Sequence, residues 1–266
     1  MKKKTLTILP VALLWILVCS HEYLLIAEKY IVKRGDQIYV HLFVSQGFNV
    51  ELERTLEKSV TRNFMMITST GTTDLLTTTP DKQLPVVEKT VDFDGLTMIA
   101  MERDYSRIEL EPAKFAEYLV EDHLDNISFD ASKANLPQRE KYSRYLKALL
   151  LSGNDAGGDL YKKELGYHLE IILQNNPYLL KEGEEVRAKV VFMGKPLANK
   201  TVTIRNREGD DNAISFLEKT NGEGIFSFKI TKGGTWAVHL THMIPCADKK
   251  DCDWESFWAS YTFGIR

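Results

Sequence analysis

The feature that most restricts the fold is a series of short apolar segments in the second half of the chain, separated by turn sequences. Asn-Pro, Glu-Gly, Gly-Lys-Pro, Asn-Gly and Gly-Gly turns lie between these segments. Short strands at such spacing, with no helical pattern among them, predict a β-sandwich of about 100 residues and argue against a parallel α/β sheet. The strands are expected at residues 168–173, 185–192, 201–206, 225–231, 235–242 and 257–265.

The first half of the chain is also rich in strand patterns. Aliphatic side chains occupy every second position over residues 37–44, which is the period of a half-buried strand. Further strands are expected at residues 62–69, 86–93 and 96–101. Asp94-Gly95 predicts a hairpin that joins the last two of them.

Two helices are expected to interrupt this strand-rich half. The first begins at Pro112, because Phe115 and Leu119 lie four residues apart on one helical face. The second is predicted over residues 137–151, with an apolar stripe of Tyr142, Tyr145, Leu146, Leu149 and Leu150. The glycine-rich residues 152–159 then mark the end of this insertion or a loop near a domain boundary.

These patterns predict a mainly β protein of two β-sandwich-like domains. The first domain spans residues 21–165 and carries a helical insertion at about residues 112–151. The second domain spans residues 166–266. Its apolar aromatic side chains are expected to form the sandwich core and not a carbohydrate-binding platform; they are Trp236, Phe257, Tyr261 and Phe263.

The amino terminus predicts export. Three lysines at residues 2–4 precede an apolar run of residues 6–18, which is shorter than the roughly 20 residues of a membrane-spanning helix. Val18 and Ser20 fit the small-residue positions of a signal peptide that is cleaved before His21. The alternative is a lipid anchor at Cys19, although Val18 stands where a lipobox has Gly, Ala or Ser.

Cleavage of residues 1–20 changes both the cysteine count and the charge. Cys246 and Cys252 remain, and in an oxidising compartment two cysteines so close in sequence most simply form a local disulfide. A pair of free thiols is the alternative. The loss of three lysines changes the formal net charge from −3 to −6, so there is no basic excess for binding nucleic acid.

Signatures of enzymes are missing from the sequence. There is no G-x-S-x-G elbow, H-E-x-x-H motif, P-loop or G-x-G-x-x-G fingerprint. We therefore expect a protein without catalytic activity.

Several segments taken together are similar to one bacterial family. They are residues 21–25 (HEYLL), 141–148 (KYSRYLKA), 166–171 (GYHLEI), 194–198 (GKPLA) and 253–260 (DWESFWAS). In order along the chain, these resemble the periplasmic domain-of-unknown-function family number 4198, which is also described as NikM-like. The resemblance implies a periplasmic binding or accessory protein with an immunoglobulin- or transthyretin-like carboxy-terminal sandwich. The resemblance is associated with nickel or cobalt uptake. We therefore expect a role in handling nickel, cobalt or copper, with an inner- or outer-membrane transport partner.

The amino-terminal histidine suggests a metal site. As the first residue of the cleaved chain, His21 offers an amine and an imidazole that can chelate one Cu or Ni ion. His242 is the predicted second imidazole, because it lies at the end of a strand whose Trp236 side faces the core. Asp253 follows the loop between the two cysteines, which is expected to hold it near His242. By strand parity, His239 is expected to point to the opposite face.

Other functions remain open at this point. His21 and His242 have structural roles in the alternative interpretation, in which the protein is an interaction module that presents loops to a membrane partner or polymer. A third possibility is a copper oxygenase with a histidine brace. The remaining histidines are expected to be structural or on the surface: His41, His168, and His123, which stands where the resembled family usually has glycine.

Overall fold

Strands dominate the computed structural model, which describes residues 22–209 and 211–266. In the first half they are β1 (Glu22–Ala27), β2 (Ile31–Val32), β3 (Gln37–Gln46), β4 (Asn49–Arg54), β5 (Thr61–Ile67), β6 (Thr72–Asp74), β7 (Val87–Thr90), β8 (Gly95–Leu110) and β9 (Gln138–Ser152). In the second half they are β10 (Leu169–Leu173), β11 (Glu185–Phe192), β12 (Lys195–Pro196), β13 (Thr201–Arg207), β14 (Ile214–Lys219), β15 (Ile225–Lys229), β16 (Gly234–Pro245) and β17 (Trp254–Ile265).

Helices are few and short. They are α1 (Leu75–Thr78) and α2 (Pro112–Glu121), with 3-10 turns at Lys58–Val60, Ala131–Lys133, Leu160–Lys162 and Pro177–Leu179. Across the described ranges, no helix has the length and hydropathy needed to cross a bilayer. The predicted signal peptide, Cys19 and His21 lie outside the described residues.

Three sheets stack as three layers. The central sheet has nine strands in the order β14-β13-β16-β17-β9-β8-β5-β6, with β2 also paired to β9. An amino-terminal sheet of β1, β3, β4 and β7 covers one face, and a carboxy-terminal sheet of β10, β11, β12 and β15 covers the other. Because side chains alternate along a strand, Met98 packs towards the carboxy-terminal sheet and Ile99 towards the amino-terminal one.

The predicted mainly β fold is confirmed, and so is the sandwich packing. The strand predicted at residues 185–192 is β11 with the same bounds, and the other five predicted in the second half are present with shifted ends. Sequence analysis missed β14, which is an edge strand with mostly exposed side chains.

The helix predicted over residues 137–151 is wrong, because this segment is β9. It pairs antiparallel with β8 and parallel with β17 in the middle of the central sheet. Tyr145 and Leu149 face one covering sheet, whereas Leu146 and Leu150 face the other. A strand that is buried on both faces has a nearly continuous apolar sequence, which also contains the spacing of a helix. The helix predicted at Pro112 is confirmed as α2, so the helical insertion is shorter than expected.

The hairpin predicted at Asp94-Gly95 is also wrong. β7 pairs with β3 in the amino-terminal sheet, whereas β8 pairs with β5 and β9 in the central sheet. The dipeptide therefore turns the chain from one layer to the next, with Gly95 in the left-handed region at φ 76°.

The central sheet crosses the domain boundary predicted between residues 165 and 166. β17 lies beside β9, so strands from both sides of this boundary share one set of backbone hydrogen bonds. Lys147 on β9 and Glu170 on β10 add a buried ion pair of 2.5 Å between layers. Whether residues 21–165 and 166–266 fold independently of each other stays a prediction.

Candidate functional site

The hairpin of β16 and β17 carries the predicted site residues near its closed end. The two strands pair in register over twelve positions, from Gly234 opposite Ile265 to Pro245 opposite Trp254. The disulfide expected between Cys246 and Cys252 is present just beyond, with the two Cα atoms 5.7 Å apart. Asp251 lies beside both sulfur atoms, but sulfurs bonded to each other are not the free thiolates that hold metals.

His242 lies on the apolar face of β16. Its ring is 4.5 Å from that of Phe192, and it follows Trp236, Val238 and Leu240 on the face that packs against the carboxy-terminal sheet. Burial, with a smaller contribution from Lys200, lowers the pKa of His242 to about 4. The imidazole is therefore neutral at physiological pH. His242 is 9% exposed, and its Nδ1 has no partner among the described residues.

Asp253 is held by another group. The backbone N–H of Arg139 donates to Oδ2 at 3.0 Å, and the guanidinium contacts both carboxylate oxygens at 3.1 Å. These bonds with Arg139 lower the pKa of Asp253. His242 pairs with Phe257 across the hairpin. Asp253 lies four residues before Phe257 in the chain, which is roughly 13 Å along an extended strand. The structure therefore does not bring His242 and Asp253 together.

His239 lies on the opposite face of β16, as its parity predicts, and that face is also covered. Its Nδ1 is 3.4 Å from Oε1 of Glu22, and its ring is 5.8 Å from the ring of Trp258. Only 4% of His239 is exposed. Burial, followed by the positive charge of Arg205, lowers the pKa of His239 well below its usual range. The imidazole is therefore neutral and has a lone pair to offer a metal.

A cavity of about 240 Å³ lies beside His239, and we call it the Glu22 pocket. Its polar walls come from β1, from the end of α2 and from β13 and β16; they include Glu22, Glu121, Asp122, His123, Arg205, His239 and Thr241. Three buried atoms in these walls have no hydrogen-bond partner among the described residues: Glu22 Oε2, Asp122 Oδ2 and His239 Nε2. Because unpaired buried polar atoms are costly, such a group is typical of a site for a ligand.

Acidic groups outnumber guanidinium groups in the Glu22 pocket. Arg205 donates to Glu22 and limits the rise in its pKa that burial causes. Burial raises the pKa of Asp122 well above its usual range, and the nearby Glu22 raises it further. Glu121 is the third carboxyl group. A bound cation would offset the burial and the like charge that favour the protonated form of Asp122.

Backbone contacts explain why β1 lies over the β16–β17 hairpin. Ser260 Oγ donates to the carbonyl of Tyr23 at 3.0 Å, and Thr262 Oγ1 donates to that of Leu25 at 2.6 Å. These bonds occupy carbonyl groups at an edge of the amino-terminal sheet. The side chains at even positions of β1 then point at β13 and β16, so Glu22 meets His239.

The end of α2 supplies the other wall of the Glu22 pocket. Phe115 and Tyr118 anchor the helix by stacking on Trp254 and Trp258, at ring distances of 5.5 and 6.0 Å. His123 then ends the helix in the left-handed region, at φ 52°. Glycine is the residue that most readily adopts this conformation, so His123 stands at a position where helices most often have glycine.

Sequence reasoning missed Glu22, Asp122 and Arg205 as site residues. Glu22 opens an otherwise apolar strand, and a buried carboxylate there is a signal that the sequence does carry. Arg205 shares the half-buried side of β13 with Thr203 and Arg207, so its position in the pattern is that of an ordinary outward-facing residue. The predicted core residues Trp236, Phe257, Tyr261 and Phe263 are all fully buried, which excludes them from a carbohydrate platform.

The two remaining histidines lie outside the Glu22 pocket. His41 is half-buried between Glu53 and Glu28, at 2.6 and 3.2 Å. The ring of His168 packs between Tyr145 and Phe257, at 6.0 and 5.8 Å.

Comparison with known proteins decides the family. The chain matches the family model "Domain of unknown function (DUF4198)" over residues 18–244. It belongs to this family. A search of curated proteins finds no match.

Two solved structures are similar to this DUF4198 protein. The "D0-D1 domain of Intimin" is 13% identical and has a TM-score of 0.22, with 89% of this chain and 95% of that chain covered. The "tetra-tandem repeat in extending region of large adhesion protein" is 9% identical and has a TM-score of 0.23, with 92% and 49% covered. We draw nothing about function from either likeness.

Proposed function

We propose that this DUF4198 protein is an exported, non-enzymatic accessory protein that binds one Cu or Ni ion at the Glu22 pocket and passes it to a membrane transport partner. The observation that supports this function most strongly is the lining of the pocket by three buried donor atoms without partners, on Glu22, Asp122 and His239. Imidazole and carboxylate groups are suitable ligands for divalent transition metals.

His239 replaces His242 as the proposed second imidazole. His21 is bonded to Glu22, and consecutive Cα atoms are about 3.8 Å apart. The amine and imidazole of His21 are therefore the ligands that the sequence supplies next to Glu22. Arg205 would act from behind by fixing the orientation of the Glu22 carboxylate, as residues around a metal site commonly do.

The carboxylates have a secondary part in this proposal. Among the described residues, the three-ligand group whose donor atoms all lie within 4.8 Å of one another is Cys246, Asp251 and Cys252. Glu22 and His239 are in contact, but the ligand atoms of Glu22, Asp122 and His239 do not all lie within that distance of one another. We therefore assign the first bonds to His21 and His239, and we assign charge balance or a water-mediated contact to Glu22 and Asp122.

The test is calorimetric titration of Cu²⁺ and of Ni²⁺ into chelator-stripped protein whose mature terminus at His21 has been verified by mass spectrometry. We expect one ion per chain. His239→Gln should weaken binding by more than about 100-fold, because a direct ligand matters more than its supporting residues. His242→Gln is the matched control, since both histidines are buried on β16, and it should leave the affinity unchanged.

Three results would contradict the proposal. Loss of binding in His242→Gln but not in His239→Gln would return the site to the apolar face. A wild-type protein that binds neither ion would favour the interaction module. Peroxide production by the copper-loaded protein in the presence of oxygen and a reductant, abolished by His239→Gln, would favour the oxygenase.

A further inference from the structure

Two arginines face each other across neighbouring strands in the middle of the molecule. Arg103 on β8 and Arg144 on β9 are direct cross-strand partners. Side chains in such a pair start about 5 Å apart on the same face of the sheet, and like charges there are destabilising. Both residues are buried, with 5% and 6% of their surface exposed. An arrangement of this kind needs negative charge nearby.

Tyr23 organises these arginines around its ring. The guanidinium carbon of Arg144 is 3.9 Å from the ring centroid and that of Arg103 is 5.5 Å away. A third arginine, Arg54, donates from Nε to the hydroxyl of Tyr23 at 3.3 Å. Tyr142 covers Arg144 from another side, at 4.5 Å. Cation–π contacts orient these guanidinium groups but do not neutralise them.

Acidic groups compensate only part of this charge. Glu57 accepts a hydrogen bond from Arg103 Nη2 at 2.8 Å. Glu140 lies near Arg144, but its Oε1 accepts from Tyr118 and Ser256, and burial raises its pKa to about 7. Within the described part of the chain, Nη1 of Arg103 and Nε of Arg144 are buried and have no hydrogen-bond partner.

We propose that Arg54, Arg103 and Arg144 bind one small oxyanion beside Tyr23. A guanidinium presents its N–H groups as a planar fork, which matches the oxygens of phosphate, sulfate or a carboxylate. The anion would accept from the two unpartnered N–H groups and separate the facing charges. Arg54 and Tyr142 are half-buried, so the side of the cluster that they form is in contact with solvent. The β8 register shift that follows Arg103 is the kind of irregularity that re-aims side chains near functional sites.

This site is separate from the proposed metal site, although Arg144 and His239 both lie beside the ring of Trp258, at 5.6 and 5.8 Å. Tyr23 and Glu22 are consecutive on β1, so their side chains lie on opposite faces of that strand. Either site can therefore be present without the other. Chelator-stripped protein keeps metal binding out of the measurement.

The test is titration of inorganic phosphate, sulfate and acetate into chelator-stripped protein at constant ionic strength set with chloride. Calorimetry should show one anion per chain, and thermal unfolding should shift upwards with anion concentration. Comparison of acetate with the two inorganic anions shows whether the site prefers a carboxylate. Arg144→Lys should weaken binding at least about 10-fold, because lysine is a point charge without the fork. Arg187→Met, on the exposed side of β11, is the control and should bind as the wild type does.

Arg54→Met keeps the test decisive if changes at Arg144 prevent folding. Arg54 is half-buried and its described hydrogen bond is the one to Tyr23, so this variant should fold and bind the anion several-fold more weakly. The proposal is overturned if the wild type shows no saturable binding of any of the three anions up to about 10 mM, which is well above a dissociation constant of about 1 mM. It is equally overturned if Arg54→Met and Arg144→Lys both bind with unchanged affinity.

Discussion

The two faces of β16 have different surroundings although the same twelve residues form them. Trp236, Leu240 and His242 face the carboxy-terminal sheet, where aromatic and aliphatic side chains fill the space. His239 and Thr241 face β1 and the end of α2, where a cavity contains buried polar atoms without partners. The first face is filled by apolar packing, and the second encloses buried polar atoms without partners among the described residues. The difference arises because a full sheet closes one face, whereas an edge strand and a short helix close the other.

The largest effect should follow from a change on the apolar face. Trp236 is fully buried, and its ring lies 5.5 Å from that of Phe228. Trp236→Ala should lower the free energy of unfolding by about 3–5 kcal/mol, because it leaves a large cavity between two sheets. Urea denaturation measures this change. A loss below about 1 kcal/mol would mean that this face is not the main source of stability.

An intermediate effect on the free energy of unfolding should come from the buried Glu140 when the pH is varied. Burial raises the pKa of Glu140 from its usual 4.5 to about 7. The folded protein thus keeps a proton that the unfolded chain loses, so this residue makes stability fall as pH rises from about 4.5 to 7. Glu140→Gln cannot titrate, yet its carbonyl can still accept from Tyr118 and Ser256. Relative to the wild type, the variant should therefore gain about 2–3 kcal/mol of unfolding free energy between pH 5 and pH 8.

Urea denaturation of both proteins at the two pH values measures this gain. A gap that stays constant between pH 5 and pH 8 would show that Glu140 is ionised in the folded protein and that this side of the hairpin is more polar than its burial indicates.

The smallest effect on stability should come from Asp122. Its Oδ2 has no described partner, and burial, followed by the nearby Glu22, raises its pKa well above its usual range, which favours the uncharged carboxyl that asparagine resembles. Asp122→Asn should thus change the free energy of unfolding by about 1 kcal/mol or less. Urea denaturation of the chelator-stripped protein tests this. A loss comparable to that of Trp236→Ala would mean that the two faces of β16 do not differ in the way we describe.

Local patterns predicted much of this fold, and each of the two failures has its own cause in the tertiary structure. The strands of the second half, the disulfide and the start of α2 follow from periodicity, spacing and turn residues close together in sequence. The helix expected over residues 137–151 failed because a strand buried on both faces has no polar alternation to reveal its period of two. The hairpin expected at Asp94-Gly95 failed because a turn sequence does not specify which strands pair after it.

The candidate site was predicted only in part. Strand parity correctly separates His239 from His242, but it does not say which face has an opening. We expected the site where the apolar face ends, and the cavity lies on the other side, between Glu22 and Asp122. Nothing within β16 indicates this, because residue 22 and residue 122 are far from it in the sequence.

The sequence alone determined the mainly β composition, the local disulfide and the two sets of side chains on β16, since each depends on neighbours within a few residues. The tertiary structure decided which strands share the central sheet, which face of β16 meets β1 and α2, and that Arg103 stands opposite Arg144. Those outcomes depend on pairing between segments distant in the chain. The alternation of side chains along a strand assigns each residue to one of two faces, and only the packing of distant segments determines what each face contacts.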